Sequence, residues 1–238
     1  MPRIDAVALP DHLSEDQLTG KIAVVIDILR ATTTIVEALG NGARSVVPVA
    51  SVHGARVMAH EQPDALLCGE RGGVKPEGFS LGNSPLEYTL DAVDGVDCVL
   101  TTTNGTRALH MATQADEILV GSITNADALC DRLRQDSRDV VLVCSGTDGK
   151  VSFEDCLGAG LIISRLGFQA SDNAAMMYHA MKGAIEQFGG LRYAVESSFH
   201  AKRLIKMGFE GDVAFATQIG TSPIVPVFDS GIGEILAD

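Results

Sequence analysis

The chain has 238 residues, of which 46% are hydrophobic and 21% are charged, and this composition is ordinary for a soluble globular protein. Its 18 basic and 31 acidic residues give a formal net charge of −13, which disfavours binding to nucleic acid or to an anionic membrane. A small anionic ligand would need a locally cationic pocket or a bound metal ion, because salt screens charge beyond about 8 Å.

Short apolar runs alternate with amphipathic stretches along most of the chain, a pattern typical of a three-layer α/β/α fold. We predict strands at residues 4–8, 22–27, 45–49, 65–68, 98–101, 117–120, 140–144 and 224–228. We predict helices at residues 32–39, 52–61, 106–113, 125–135, 155–166, 172–188 and 198–207. Residues 22–26 and 140–143 are continuously apolar, as expected for strands covered on both faces. The prediction is a single domain, residues 1–238, with a largely parallel or mixed central sheet and a helix-rich C-terminal third.

The first loop that could carry chemistry follows the strand at 22–27 and reads DILRATTT. Asp27 ends the apolar run, a usual position for a catalytic or metal-binding carboxylate, because ligands of parallel sheets bind beyond the carboxyl ends of the strands. Arg30 follows, and Thr32 and Thr33 open the next helix together with Thr34. One threonine is enough to cap a helix. The other hydroxyl and N–H groups would suit phosphate oxygens at the positive helix end.

The second loop, GERGGVKPEGFSLGNSP at residues 69–85, is too rich in glycine for a regular element. Loops of this length in a compact domain are usually functional or disordered. Ser84, Pro85 and Glu87 have the spacing of a capping box, so Glu87 is expected to be structural. Glu70 and Arg71 directly follow the strand at 65–68 without such an explanation, which makes them candidates for contact with a metal or substrate.

The third loop is TTTNGT at residues 101–106. Asn104-Gly105 is a tight-turn dipeptide, so a simple turn is one interpretation. The other is a phosphate-binding loop that uses Thr102, Thr103 and Thr106. Arg107 comes directly afterwards, and its guanidinium group could pair with a phosphate or sulfonate.

The fourth loop, CSGTDGKVSFED at residues 144–155, lacks the spacing of two known phosphate-binding loops. A cysteine-phosphatase loop needs arginine six positions after the cysteine, where Lys150 stands, so thiolate catalysis by Cys144 is disfavoured. A Walker A loop needs glycine in place of Cys144. Ser145, Gly146 and Thr147 remain as hydrogen-bond donors. Ser152 and Asp155 have capping-box spacing, so Asp155 is expected to cap the next helix rather than to bind a metal.

Features that would indicate other chemistries or an exported protein are missing from the sequence. The five cysteines form no CxxC pair and are expected as free thiols, and no histidine pair has HxxH or HExxH spacing. No strand-to-helix serine elbow is evident, which disfavours acyl transfer. The N-terminus turns acidic early, and no apolar stretch approaches the roughly 20 residues that cross a bilayer. We therefore expect a cytoplasmic protein, and homo-oligomer formation is compatible with the sequence.

The blocks DILRATTT, GERGG…GFSLGNSP, TTTNGTRAL and CSGT…SFED resemble the 2-phosphosulfolactate phosphatase family, in the family's order along the chain. The resemblance implies an α/β enzyme that hydrolyses a phosphate monoester of a sulfonated hydroxy acid and requires Mg²⁺. The products would be sulfolactate and phosphate, a step that belongs to coenzyme M biosynthesis in methanogens. Bacterial members would serve other sulfonate pathways.

The residues agree with this chemistry, because Mg²⁺ prefers oxygen ligands from one or two carboxylates. The metal candidates are Asp27 and Glu70, with Asp155 in reserve, and the catalytic candidates are Asp27, Arg30 and Glu70. The substrate-binding candidates are Thr32, Thr33, Arg71, Asn83, Thr102, Thr103, Asn104, Gly105, Thr106, Arg107, Ser145, Gly146 and Thr147. The nucleophile is open between a water held by the metal and Asp27 itself, which would form an acyl phosphate.

Two alternatives remain open at this stage. The first is a haloacid-dehalogenase-type phosphatase with Asp27 as nucleophile, although its motif places a second aspartate where Leu29 stands. The second is a protein that binds a small anionic phosphoester through the same loops without hydrolysing it. Phosphate release from a panel of phosphomonoesters, with and without Mg²⁺, separates these alternatives.

Overall fold

The computed structural model describes residues 2–14 and 16–238. Its strands are β1 (Arg3–Val7), β2 (Ile22–Ile26), β3 (Ser45–Pro48), β4 (Leu66–Gly69), β5 (Asp97–Thr101), β6 (Glu117–Gly121), β7 (Val140–Cys144), β8 (Gln169–Ala170), β9 (Val227–Asp229) and β10 (Glu234–Leu236). Its α-helices are α1 (Ala31–Gly40), α2 (Val52–Glu61), α3 (Leu90–Val93), α4 (Gly105–Met111), α5 (Ala126–Arg134), α6 (Phe153–Leu166), α7 (Asp172–Phe188), α8 (Leu191–Glu196), α9 (Phe199–Lys206) and α10 (Glu210–Ala216). Short 3₁₀ helices cover Pro10–His12 and Pro85–Glu87.

The strands form one mixed sheet, which consists of two parallel blocks that run in opposite directions. The strand order is β4-β5-β3-β10-β9-β6-β2-β7-β1-β8. Strands β4, β5 and β3 are parallel to one another, and so are β6, β2, β7 and β1. The ladders β3–β10, β10–β9 and β9–β6 are all antiparallel, so the strand direction reverses between the blocks.

Both faces of the central strands are buried, which explains the continuously apolar runs. In β2, Val24 and Ile26 point into a core layer shared with α5, α6 and α7. Ala23 and Val25 point to the opposite face, into a layer shared with α1 and α4. A strand with a helix layer on each face has no polar face. The sequence prediction of a three-layer α/β fold is therefore confirmed.

The helices after β7 form the helix-rich C-terminal third. Helix α7 begins at Ser171, whose hydroxyl oxygen accepts a hydrogen bond from the N–H of Ala174 at 3.2 Å. Helices α6 and α7 approach closely at Gly160, where a side-chain carbon would lie 2.5 Å from the carbonyl oxygen of Met177. Within the described ranges, no helix is both long and apolar enough to cross a membrane.

The last predicted strand is displaced, and several short elements were not predicted. The chain at 224–228 was expected to be a strand, but β9 begins only at Val227, because Pro223 and Pro226 cannot donate to a ladder. Strands β8 and β10 and helices α3, α8 and α10 were missed. These elements have two to seven residues, too few for their apolar periodicity to be read.

Candidate active site

The candidate active site is a cavity where loops that follow β2, β4, β5 and β7 meet helix α9. Loops from the carboxyl ends of both parallel blocks contribute, although the blocks run in opposite directions. The cavity is lined by Asp27, Leu29, Arg30, Glu70, Gly72, Gly73, Asn83, Thr102, Thr103, Asn104, Thr147, Asp148, His200, Arg203 and Leu204.

Two buried carboxylates, Asp27 and Asp155, lie at the carboxyl end of β2. The N–H of Ala31 donates to Asp27 Oδ1 at 3.2 Å. The N–H of Ile28 donates to Asp155 Oδ1 at 2.9 Å. Burial raises the pKa of Asp27 to about 6, against the nearby charge of His200. Burial and the charge of Asp27 raise the pKa of Asp155 well above its usual range. A nearby positive charge would therefore stabilise the ionised form of both carboxylates.

The expected capping box at Ser152 and Asp155 is wrong. Asp155 Oδ2 accepts from the N–H of Gly146 at 3.0 Å and from the hydroxyl of Ser145 at 3.2 Å. Ser152 has no capping hydrogen bond, and its hydroxyl instead lies 2.6 Å from that of Thr147. Asp155 therefore joins the β7 loop to the β2 loop beside Asp27. Ser145 and Gly146, predicted as substrate donors, hold this carboxylate.

Glu70 connects the second and third loops. Its Oε1 accepts from the N–H and hydroxyl of Thr103 at 2.7 and 2.9 Å, and its Oε2 accepts from the N–H of Gly73 at 2.5 Å. The side chain is buried and lines the cavity. These bonds fix Thr103 and the 69–73 turn around one carboxylate, so Glu70 shapes the cavity wall and leaves only part of its acceptor capacity for a ligand.

Arg30 is buried and already paired. Its Nη1 lies 2.6 Å from Asp212 Oδ2, its Nη2 donates to the carbonyl of Gly73 at 3.0 Å, and its guanidinium lies 4.1 Å from the ring centroid of Phe209. Asp212 also accepts from the hydroxyl of Ser84 at 2.6 Å. The capping box expected at Ser84 is thus also wrong, because its hydroxyl serves Asp212, and Glu87 instead accepts from the N–H of Gly82 at 2.9 Å.

Three of the six threonines predicted to bind substrate donate hydroxyl hydrogen bonds to backbone carbonyl groups. Thr32 bonds to the backbone of Asp27, Thr33 donates to the carbonyl of Ile28, and Thr106 donates to the carbonyl of Thr102. Thr102, Thr103, Asn104 and Thr147 are the predicted donors that line the cavity. The hydroxyl-rich loops thus serve both to build the turns and to present a smaller set of donors.

Gly105 occupies a position that only glycine can fill. A side-chain carbon there would lie 2.9 Å from Asp27 Oδ2 and 2.5 Å from the Cβ of Ala31. Gly105 begins α4, and its contacts bring the third loop against the first. Gly105, which was predicted to contact the substrate, therefore lets the backbone of the third loop pack closely against Asp27.

Two predicted arginines lie outside the cavity lining. Arg107 points away on α4 and forms an ion pair with Asp11, and both side chains are about half exposed. Arg71 donates to the carbonyl of Ala50 at 3.0 Å and to the hydroxyl of Thr101 at 2.7 Å. Neither guanidinium group lines the cavity that contains Asp27 and Glu70, and each is hydrogen-bonded within the protein.

The sequence also contains GFSLG at residues 78–82, which has the spacing of a GxSxG nucleophile elbow. Ser80 is exposed on a loop and does not line the cavity. The elbow requires a turn between a strand and a helix, and the 3₁₀ helix that follows begins only at Pro85. The segment therefore has the spacing of the motif without the strand-to-helix turn that the elbow requires.

Several cavity residues were not predicted. His200, Arg203, Asp148 and the supporting Asp212 line or brace the cavity. His200 Nδ1 lies 3.1 Å from the hydroxyl of Thr147 and 3.2 Å from Oε1 of the buried Glu154. Three of these four residues, His200, Arg203 and Asp212, come from the C-terminal helices and belong to no recognised motif. An arginine and a histidine three positions apart at the start of an amphipathic helix were the only signal.

The residues of the cavity suit a hard divalent cation. In residues 2–14 and 16–238, no group of three or more His, Cys, Asp or Glu side chains could hold a metal alone. Mg²⁺ needs only one or two carboxylates, since water and substrate oxygens complete its shell. Asp27 and Asp155 supply two carboxylates. The buried Asn83 Oδ1 has no hydrogen-bond partner among the described residues and lines the same cavity. An unpaired buried oxygen is costly unless a ligand satisfies it.

Comparison with known proteins identifies a family model and relatives that are described as phosphatases. The family model described as 2-phosphosulpholactate phosphatase matches residues 7–231. A relative from Thermotoga maritima, named "Probable 2-phosphosulfolactate phosphatase", is 42% identical over 213 residues, which cover 89% of this chain and 91% of the relative. A relative of the same name from Carboxydothermus hydrogenoformans is 42% identical over 229 residues, which cover 94% of this chain and 92% of the relative. Another from Clostridium perfringens is 36% identical over 233 residues, which cover 96% of this chain and 94% of the relative.

Proposed function

This chain belongs to the 2-phosphosulfolactate phosphatase family, and we propose that it is a phosphoric monoester hydrolase that converts 2-phosphosulfolactate to sulfolactate and phosphate with the help of Mg²⁺. Family membership over residues 7–231 supports the reaction. The observation that carries the proposal is a pair of buried carboxylates: Asp27 lines a cavity that also contains hydrogen-bond donors, and Asp155 accepts a hydrogen bond from Ile28, the residue after Asp27. Two buried acids with raised pKa values are typical of a functional site rather than of a packed core.

Asp27 and Asp155 would hold the metal ion, with the amide oxygen of Asn83 and a free lone pair of Glu70 within the same cavity wall. A bound Mg²⁺ supplies positive charge that neutralises phosphate oxygens in the transition state. Asp27 and Asp155 are therefore kept anionic at neutral pH by the ion that they bind, against the burial that raises their pKa values.

The remaining residues orient the substrate. Phosphoryl transfer depends mainly on positioning and on charge neutralisation. Thr102, Asn104 and Thr147 offer donors to phosphate oxygens, and Thr103 is fixed by Glu70. Arg203 stands on α9 at the rim of the cavity, where its cation suits the second anionic group of a sulfonated hydroxy acid. The buried Arg30 adds positive potential to the wall, which Asp212 partly offsets.

The test is phosphate release from 2-phosphosulfolactate, phosphoglycolate and phospholactate, each measured in EDTA and after addition of Mg²⁺. We expect no release in EDTA and release from at least one substrate with Mg²⁺, with 2-phosphosulfolactate preferred. Full activity in metal-free enzyme would contradict the metal requirement. Binding of the three esters without release under either condition would instead identify an anion-binding protein.

A haloacid-dehalogenase-type mechanism is disfavoured by the structure of the first loop. That mechanism needs a carboxylate two residues after the nucleophile, where the apolar Leu29 is buried and lines the cavity. The five cysteines are buried free thiols, which supports the proposed cytoplasmic location. The place of this step in coenzyme M biosynthesis stays a prediction.

A further inference from the structure

We propose that His200 is the general acid of the reaction, and that Glu154 and Thr147 hold its ring so that Nε2 delivers a proton to the leaving-group oxygen. This inference rests on the proposed phosphatase function and assigns a residue of α9, which the sequence motifs do not include. General acid catalysis of this kind contributes a rate factor of about 10²–10⁴.

The ring of His200 is fixed from one side only. Its Nδ1 lies 3.2 Å from Glu154 Oε1 and 3.1 Å from the Thr147 hydroxyl. The His200 side chain is 14% exposed, and that of Glu154 is 2% exposed. Because Nδ1 faces these two groups and the ring lines the cavity, Nε2 is the nitrogen that remains for a ligand. A carboxylate behind a histidine fixes the orientation of the ring and stabilises its protonated form.

The carboxylate of Glu154 is buried and therefore needs a hydrogen-bonded or charged partner. Its carboxylate lies in the first turn of α6, next to Asp155 in the chain, and its side-chain hydrogen bond goes to His200. A buried carboxylate is costly unless it is paired. The pair also joins α6 to α9, so a purely structural role is the competing explanation, and the experiment must separate the two.

The position of His200 relative to the carboxylates suits a proton donor. His200 and Asp27 line the same cavity, so the imidazole faces the space in which the substrate would lie. Asp148 and Arg203 also line this side of the cavity and form an ion pair at 3.0 Å. The groups that face His200 are therefore Glu154, Thr147, Asp27 and the Asp148–Arg203 pair.

The proposed step balances without a further reactant. The oxygen of a water molecule forms the new bond to phosphorus, and the ester P–O bond breaks with its electron pair moving to the leaving oxygen. That oxygen takes the proton from Nε2 of His200 and departs as the alcohol. The water gives up one proton, which passes to solvent, and neutral His200 is reprotonated from solvent. The net reaction is ester plus water to alcohol plus phosphate.

The experiment compares two leaving groups in wild-type enzyme and in His200→Asn. An alkoxide needs protonation as it leaves, whereas the para-nitrophenolate anion does not. With Mg²⁺, we expect kcat/KM for phosphoglycolate to fall about 10²–10³-fold in His200→Asn, and that for para-nitrophenyl phosphate to fall less than about 10-fold. Glu154→Gln should shift the same ratio in the same direction by a smaller factor. His179→Asn, an exposed histidine on α7, is the matched control and should leave both values unchanged.

An equal loss on both leaving groups in folded His200→Asn would overturn the proposal and show a structural role for the Glu154–His200 pair. Trifluoroethyl phosphate against ethyl phosphate gives the same comparison if the aromatic ester is not a substrate of the wild-type enzyme. Failure of wild-type enzyme to hydrolyse 2-phosphosulfolactate as well as these esters would refute the phosphatase function itself. That result is distinct from a change in the leaving-group ratio.

Discussion

The substitution Asp27→Asn should raise stability and abolish activity at the same time. Asparagine keeps the shape of the side chain, and its Oδ1 can still accept the hydrogen bond from the N–H of Ala31. The substitution removes the charge that burial opposes. A buried charge that serves function lowers the stability of the folded state. Removing the charge of Asp27 should therefore raise the free energy of unfolding.

The magnitude follows from the pKa of Asp27. Burial raises this pKa from 3.8 to about 6, so the folded state binds the proton more tightly than the unfolded state does. The stability linked to this proton is present below pH 3.8 and is lost as the pH rises through about 6. At pH 7.5 the charged carboxylate therefore lowers the free energy of unfolding by about 3 kcal/mol. Asparagine does not titrate, so its advantage should vanish near pH 3.

The assay is thermal unfolding in EDTA, combined with phosphate release in Mg²⁺. At pH 7.5, Asp27→Asn should melt about 6 °C or more above wild type, since 1 kcal/mol shifts the melting temperature by about 2–4 °C in a chain of this size. Its kcat should fall about 10³-fold, because the metal loses a carboxylate. Asp131→Asn, on the exposed surface of α5, is the control and should change neither quantity.

Two outcomes would contradict this reasoning. If Asp27→Asn melts at or below the wild-type temperature in EDTA at pH 7.5, burial of the Asp27 charge does not destabilise the fold. If the folded variant keeps more than about a tenth of wild-type turnover, Asp27 is not the central carboxylate, and Asp155 and Glu70 become the leading candidates. Trapping with labelled phosphoester distinguishes attack by Asp27, which leaves label on the protein, from attack by water.

Three further substitutions test other parts of the site. Cys144→Ser should keep most of the turnover, because a hydrogen bond with Cys156 and burial raise the pKa of Cys144 and keep it a thiol; a loss above about 10³-fold in phosphate release would revive thiolate catalysis. Gly105→Ala should lower kcat at least about 10-fold and, in denaturant titrations, destabilise the fold by about 1–3 kcal/mol through overpacking. The control Gly183→Ala, where a methyl group meets open space on α7, should stabilise the fold by about 0.5–1 kcal/mol. Arg107→Gln should leave kcat/KM within about 3-fold of wild type, since an exposed ion pair contributes little; a selective rise in KM would place that guanidinium group at the substrate.

Sequence predicted the central strands well because their physical signal is local. Val24 and Val25 face opposite core layers, so β2 is apolar without interruption and stands out from its flanks. The β9–β10 hairpin gives no comparable signal, since each strand has three residues and its other partners, β3 and β6, are distant in the chain. That hairpin reverses the strand direction between the two parallel blocks, so the sequence could predict strands but not the arrangement of the sheet.

The site shows the same division between local and distant signals. Asp27 could be found because a carboxylate at the end of a buried strand is unusual. Asp155 was misread, because Ser152-x-x-Asp155 has the spacing of a capping box, and only the fold brings Asp155 to the N–H of Ile28. His200 and Asp212 come from helices near the C-terminus and belong to no recognised motif. Residues whose function depends on a distant partner carry no local pattern.

The distribution of charge in the cavity explains why a metal ion and the substrate should depend on each other. Arg30 is paired with the buried Asp212, and Arg203 stands at the rim of the cavity beside the exposed Asp148, so neither places an unpaired cation next to the buried carboxylates. Asp27 and Asp155, when ionised, would add buried negative charge that repels a phosphate ester. A divalent cation bound beside them would reverse the local sign of the charge, and at the short range of a buried site this effect would outweigh the net charge of −13 over the whole chain. Under the proposed mechanism, the acidic pair therefore helps an anionic substrate only through the ion that it would bind.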